Sequence, residues 1–170
     1  MIEIDGAYLE GGGQILRTAL AFSALTQKPF EVHDIRKGRK DHGLKNQHVY
    51  CVKSLQELCN GDAEGAELGS GFLRFYPKKI SAKNLDIEIG TAGSITLLLQ
   101  ALMLPSMFAG KTMSLTIKGG TDVRWSAPFD YFSNVLLPYL QRFAKIESRL
   151  LKRGYYPKGN GKVEIKLSPR

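Results

Sequence analysis

Sulfur is scarce in this sequence, which has two cysteines, four methionines and a single tryptophan. Cys51 and Cys59 fall in one amphipathic stretch, where eight residues of helical rise set them roughly 12 Å apart. A disulfide cannot close that gap. No further cysteine and no nearby histidine pair offers a zinc site, so both read as buried structural thiols. Long apolar runs are missing too: the stretch from Ile95 to Met107 is interrupted by Gln100 and Pro105 and is too short to span a bilayer. Met1-Ile2-Glu3-Ile4-Asp5 has neither the basic nor the apolar region of a secretory leader, so a cytoplasmic location is expected. There is no Walker loop, and Gly11-Gly12-Gly13 does not satisfy the dinucleotide fingerprint.

What is present suits a globular chain. Its 170 residues, 43% hydrophobic and 24% charged, are enough to bury a real core. Lys and Arg total 24 against 16 Asp and Glu, a net charge of +8. That balance favours a polyanionic partner, nucleic acid or nucleotide phosphate, although a lysine excess also serves solubility.

The sequence repeats itself with a period of about eighty residues. A short strand at Ile2–Ile4 leads to the turn Gly11-Gly12-Gly13 and a helix from Gln14 to Leu25. In the second half, alternating Leu85, Ile87 and Ile89 lead to Gly90-Thr91-Ala92-Gly93 and a helix from Ser94 to Phe108. Each half then has a strand, Phe30–Ile35 or Met113–Ile117, whose alternation suits one buried face. A glycine-bearing polar loop follows, and then a second helix, Leu44–Leu58 or Phe129–Phe143. Leu44, His48, Cys51, Val52, Leu55 and Leu58 recur at helical spacing as an inward stripe. A hairpin closes each half, Gly65–Tyr76 or Ser148–Leu167, although the Gly-Tyr-Tyr-Pro-Lys-Gly-Asn-Gly run within Lys152–Gly161 reads as loop as readily as strand. The expected fold is α+β: tandem strand-helix-strand-helix-strand-strand units, residues 1–80 and 81–170, each a small sheet with two helices on one face.

Glycines directly before a helix leave backbone N–H groups free to face an anion at the positive end of the macrodipole. The competing reading of Gly11, Gly12 and Gly13 is a tight turn that needs positive φ. Charged neighbours favour the anion. Glu10 precedes the turn, and Arg17 sits one helical turn inside, where a cation opposes the dipole and needs another reason to be present. Arg36 and Arg39 follow the next strand, at the same end of the sheet if the unit is parallel. Three guanidinium forks near a helix start suit bidentate phosphate recognition. Gln47 and His48 open the second helix close by, His48 reading as a core histidine as well as a site residue. Asp122 and Asp130, flanking the start of the last helix, read as helix caps. Trp125 reads either as a stacking platform for a base or as a packing residue.

The run Gly6-Ala7-Tyr8-Leu9-Glu10-Gly11-Gly12-Gly13-Gln14-Ile15-Leu16-Arg17-Thr18-Ala19-Leu20 resembles the opening signature of RNA 3′-terminal phosphate cyclases. Ile35-Arg36-Lys37-Gly38-Arg39 with Gly43-Leu44 and Gln47-His48 resembles the second motif of that family. Gly90–Ser94 with Gln100 resembles the third. Gly119–Val123 with Ala127-Pro128, and Arg153–Gly159, complete a colinear set over nearly the whole chain. His42 stands where the family usually has proline, and Asn160 interrupts what is usually a glycine triplet.

The resemblance implies a repeated fold shared with enolpyruvyl transferases and with the C-terminal domain of translation initiation factor three. It implies ATP and a divalent metal, Mg²⁺ or Mn²⁺, as cofactors and an RNA 3′-end as partner. In that chemistry a histidine is adenylylated, AMP passes to the RNA 3′-phosphate, and the 2′-hydroxyl closes a 2′,3′-cyclic phosphate. By resemblance Arg17, Arg36 and Arg39 hold phosphates and Glu10 assists at nucleotide or metal. Gln47, His48 and Gln100 line the nucleotide and RNA-end site. In the family a small inserted domain and a third repeat follow, the nucleophilic histidine lies in that later portion, and His33, His42 and His48 do not match its motif. The chain is therefore expected to be an N-terminal half that needs a C-terminal half and that self-associates through the apolar surface the third repeat would cover. A non-catalytic, RNA-binding cyclase-like factor of ribosome biogenesis is the alternative. Enolpyruvyl transferases, with anionic substrates of their own, are a third reading.

Overall fold

The computed structural model describes residues 1–170 throughout. Two four-stranded mixed sheets enclose the helices. The first sheet is built from β1 (Ile2–Asp5), β2 (Phe30–His33), β3 (Asp62–Glu64) and β4 (Leu73–Tyr76) in the order β1-β2-β4-β3. β1 and β2 are parallel, joined by the crossover helix α1 (Gly13–Thr26), and the other pairings are antiparallel. α2 (Asn46–Cys59) connects β2 to the β3–β4 hairpin. The second sheet repeats the order and the senses with β5 (Leu85–Glu88), β6 (Met113–Gly119), β7 (Ala144–Lys152) and β8 (Gly161–Pro169), arranged β5-β6-β8-β7. Its crossover helix is α3 (Ile95–Met107). The fold is thus the expected α+β duplication.

Each sheet is two-faced because its strands alternate. Along β6, Met113, Leu115 and Ile117 are buried while Ser114, Thr116 and Lys118 face outward. The inward faces meet α1, α2 and α3, which pack against one another between the sheets. The resulting core is one continuous cluster that draws on both sheets and all three helices, from Leu16 and Phe75 to Leu98 and Ile165. The inward stripe of α2 is fully buried as expected, Leu44 standing just before the helix, which begins at Asn46. Cys51 and Cys59 are buried free thiols, and burial pushes Cys51 up to about 12.

Two expectations need correction. The predicted helix Phe129–Phe143 is broken: α4 (Phe129–Tyr131) runs into a π-helical turn at Phe132–Leu136, and α5 (Leu137–Leu140) stops short of Phe143. Pro138 has no N–H to donate back, and the widened turn ahead of it absorbs the defect. The last hairpin starts earlier than expected, at Ala144, and Arg153–Asn160 is a loop pinned by an isolated bridge between Tyr155 and Gly159.

Candidate functional site

Because β1 and β2 are parallel, the segments that leave them emerge at the same end of the sheet. The glycine turn and the Arg36–Arg39 loop are therefore neighbours. Gly11 needs positive φ, at +53°, so the tight-turn reading holds there. Gly12 has an extended backbone and caps α1, and Gly13 is its first residue. Their lack of side chains has another cause. A Cβ on Gly12 would lie 3.3 Å from Arg39 Nη2, and one on Gly13 would run into His48 Nε2 and lie 2.9 Å from Arg17 Nη1. The glycines keep open a space into which an imidazole and two guanidinium groups point.

Electrostatics single out Arg17. It is 7% exposed, and its only side-chain partner is Gln100, whose Oε1 accepts from Nε at 3.3 Å. No carboxylate lies in salt-bridge range of it, so a buried cation stands without a counter-charge, and burial lowers its pKa. Arg39 is better exposed and meets Glu10, itself almost wholly exposed, at 3.8 Å. Arg36 adopts positive φ and turns Nη1 back onto the carbonyls of Asp41 and Gly43, at 3.0 and 3.1 Å. It braces its own loop while adding charge beside Arg39, and burial first, then Arg39, lowers its pKa.

His48 is 2% exposed in the first turn of α2. Its Nδ1 accepts the Lys45 backbone N–H at 3.0 Å, so the neutral ring carries its proton on Nε2, the atom directed at Gly13. Burial, then Arg17, Arg36 and Lys45, pushes its pKa down to about 3, keeping it a neutral donor. The first turns of both α1 and α2 lack acidic residues, so nothing offsets their positive ends. Gln47 is one residue off this arrangement: it packs against Gly93 of the second glycine turn, and its buried Oε1 has no partner.

Residues 8–170 match the family model for RNA 3′-terminal phosphate cyclase. The chain belongs to the RNA 3′-terminal phosphate cyclase family. It is 46% identical over 170 residues to the RNA 3′-terminal phosphate cyclase of Methanopyrus kandleri, covering 99% of this chain and 48% of the relative. It is 47% identical to that of Pyrococcus abyssi, over 99% of the chain and 50% of the relative. For that of Ignicoccus hospitalis the identity is 48%, over 99% and 48%. The chain thus spans about half the length of the curated relatives it matches. Its helices include none long and apolar enough to cross a membrane.

In this cyclase-family chain the predicted residues Glu10, Gly11, Gly12, Gly13, Arg17, Arg39, His48 and Gln100 come together at one place. Arg36 borders it, and Gln47 faces the junction between the repeats. Asp122 and Asp130 are not helix caps. Pro128 occupies the cap position, and Arg153 clamps both aspartates, at 3.2 Å to Asp122 Oδ2 and 2.8 Å to Asp130 Oδ2. Sequence reading missed that clamp because Arg153 lies in the loop between β7 and β8, 31 residues from Asp122 and 23 from Asp130. Trp125 is 96% exposed, so it serves no packing role within this chain.

Proposed function

We propose that the chain is the N-terminal, substrate-holding half of an ATP-dependent RNA 3′-terminal phosphate cyclase, which converts an RNA 3′-phosphate to a 2′,3′-cyclic phosphate. One observation carries the reading: Arg17, a buried guanidinium with no counter-ion, lies beside a side-chain-free helix start. A buried charge without a partner is costly, and a phosphate supplies the missing negative charge together with acceptor oxygens for the fork. The neutral Nε2–H of His48 and the fork of Arg39 add donors from two other directions. Fixed donors of this kind stabilise charge as it shifts between phosphate oxygens during group transfer.

In the proposed reaction ATP is the second substrate. Gln47, with an orphaned Oε1 between the repeats, and Gln100, braced on Arg17, have the donor and acceptor chemistry to orient a nucleotide. Mg²⁺ or Mn²⁺ binds through few protein carboxylates and several phosphate or water oxygens. Glu10, the carboxylate paired to Arg39, fits that role, and no cluster of three or more ligating side chains is present in the chain. When bound, the metal neutralises phosphate charge.

The nucleophilic histidine belongs to the other half of the enzyme. His48 is buried, and its Nδ1 is engaged. Tyr131, Val135, Leu136, Tyr139 and Phe143 are exposed along α4, the π turn, α5 and the residues after them. That apolar strip is where the C-terminal half docks, and the chain alone self-associates through it. Sedimentation of the isolated chain is expected to show dimers or larger species, and a monodisperse monomer would argue against the strip.

The deciding test is transfer of label from [α-³²P]ATP to purified protein. It is run with and without a 3′-phosphorylated oligoribonucleotide and a separately expressed C-terminal half of a relative. Labelling only when the second half is added supports the proposal. Label on this chain alone would place the nucleophile within it and overturn the division of labour.

A further inference from the structure

The outward faces of the two sheets differ in how they arrange charge. In the first, Glu31, Arg74 and Glu64 are cross-strand neighbours on β2, β4 and β3, and Arg74 bonds to Glu31 at 2.7 Å and to Glu64 at 3.5 Å. Opposite signs alternate along that rung, as sheet physics favours. In the second, Lys118 on β6 pairs with Lys162 on β8, and Lys162 pairs with Lys152 on β7. Three like charges stand in one row at neighbouring strands, an arrangement that destabilises a sheet. Glu88 reaches only Lys118, at 3.6 Å, and Lys152 and Lys162 have no acidic partner.

The row is also built by an irregularity. A register shift between Leu150 and Lys152 sets Lys152 rather than Leu151 opposite Lys162. Bulges commonly re-aim a side chain in this way. The three lysines, with Lys158 and Asn160 from the loop above, line an open cleft of about 450 Å³ whose other wall is Glu88, Gly90 and Thr91. Gly159 packs its backbone on Thr91, so the loop and the second glycine turn form one wall. On the other side of that turn, Gly93 touches Gln47 beside the first site. Cleft and site are two sides of one turn.

We infer that this cleft is a second anion subsite, holding an internal phosphodiester of the RNA strand whose 3′-phosphate sits at Gly12 and Gly13. The inference rests on the proposed function for the identity of the strand. A phosphate centred on the row supplies the charge that Lys152 and Lys162 lack and that Lys118 draws only from Glu88, and an open cleft suits a passing strand better than an enclosed small molecule.

The test compares the chain with its K118Q/K152Q/K162Q variant by fluorescence anisotropy, using a 3′-phosphorylated ribo-octamer, a 3′-phosphorylated ribodinucleotide and ATP. The variant is expected to bind the octamer at least about tenfold more weakly. The slope of log affinity against log salt should shrink by about 0.7, since one single-strand phosphate contact is lost. Dinucleotide and ATP binding should not change. Unchanged octamer affinity and slope would overturn the subsite, as would equal losses for octamer and dinucleotide, or a loss confined to ATP. An octamer ending in a 3′-hydroxyl separates the two readings. If the unaltered chain binds it as tightly as the phosphorylated one while the lysine dependence persists, the cyclase reading fails and the subsite stands. Relief of like-charge crowding should leave the variant's melting temperature equal or higher by up to about 2 °C. A lower one would remove the strain on which the inference depends.

Discussion

The two glycine turns occupy the same place in their repeats and end differently. At the second, Ser94 caps α3 with its own hydroxyl, which accepts the Leu97 N–H at 3.2 Å. At the first, the cap of α1 is Gly12, which has no side chain to offer. Five residues beyond the cap the second helix carries Leu99, fully buried, and the first carries Arg17. One helix start is closed by its own chain, and the other is left open with a buried cation behind it. The strand order of the two units is alike, so the difference does not come from the sheet topology. On the proposed function, it marks where a ligand completes the structure.

That contrast can be broken most severely at Arg17. Arg17→Leu gives the first helix the residue type of the second, and affinity for a 3′-phosphorylated ribodinucleotide is expected to fall about 100-fold by calorimetry. The melting temperature should hold or rise, because a buried unpaired charge has been replaced by an apolar group. A large loss of stability with intact binding would reverse the reading.

Next in size is a pH effect confined to the first turn, the second having no histidine. The His48 pKa is near 6.5 when unfolded and about 3 when folded, so between those values only the unfolded chain binds the extra proton. Its contribution to stability is complete above about pH 6.5 and is lost as pH falls, at about 1.4 kcal/mol per unit, or about 2 kcal/mol from pH 6.5 to pH 5. Urea unfolding of the chain and of His48→Gln across that range measures the slope, which the variant should lack.

Arg39→Ala should weaken dinucleotide binding about tenfold and change folding by less than about 0.5 kcal/mol, because its pair with Glu10 is exposed and long. Equal affinity in the variant would remove Arg39 from the site. The smallest effect belongs to the closed turn. Ser94→Ala should cost about 1 kcal/mol of stability and leave anion binding untouched. A binding defect there would mean that the turns are not specialised as described.

The duplication was legible in the sequence because the order of glycine turns, apolar alternation and helical stripes is a local signal. So were the charged residues of the first turn, which stand out because an arginine near a helix start opposes the dipole. Three things were not legible. The reason for Gly12 and Gly13 lies in Arg39, Arg17 and His48, which reach them only after the chain has folded. Pro138 was visible, but not that the chain passes through it by a π turn at Phe132–Leu136 instead of ending the helix. The lysine row and the Arg153 clamp depend on cross-strand register, and a bulge at Leu151 changes that register by one residue.

The bond from Arg17 to Gln100 joins α1 to α3, and Gln47 against Gly93 joins α2 to the second turn. The first site therefore has its far wall in the other copy of the unit. After a duplication two copies are often free to drift apart, but these two share a boundary at the candidate site. Exchanging only one unit with that of a relative would graft half of the candidate site, and such a chimera would be limited by the fit of Gln100 and Gly93 to their new neighbours.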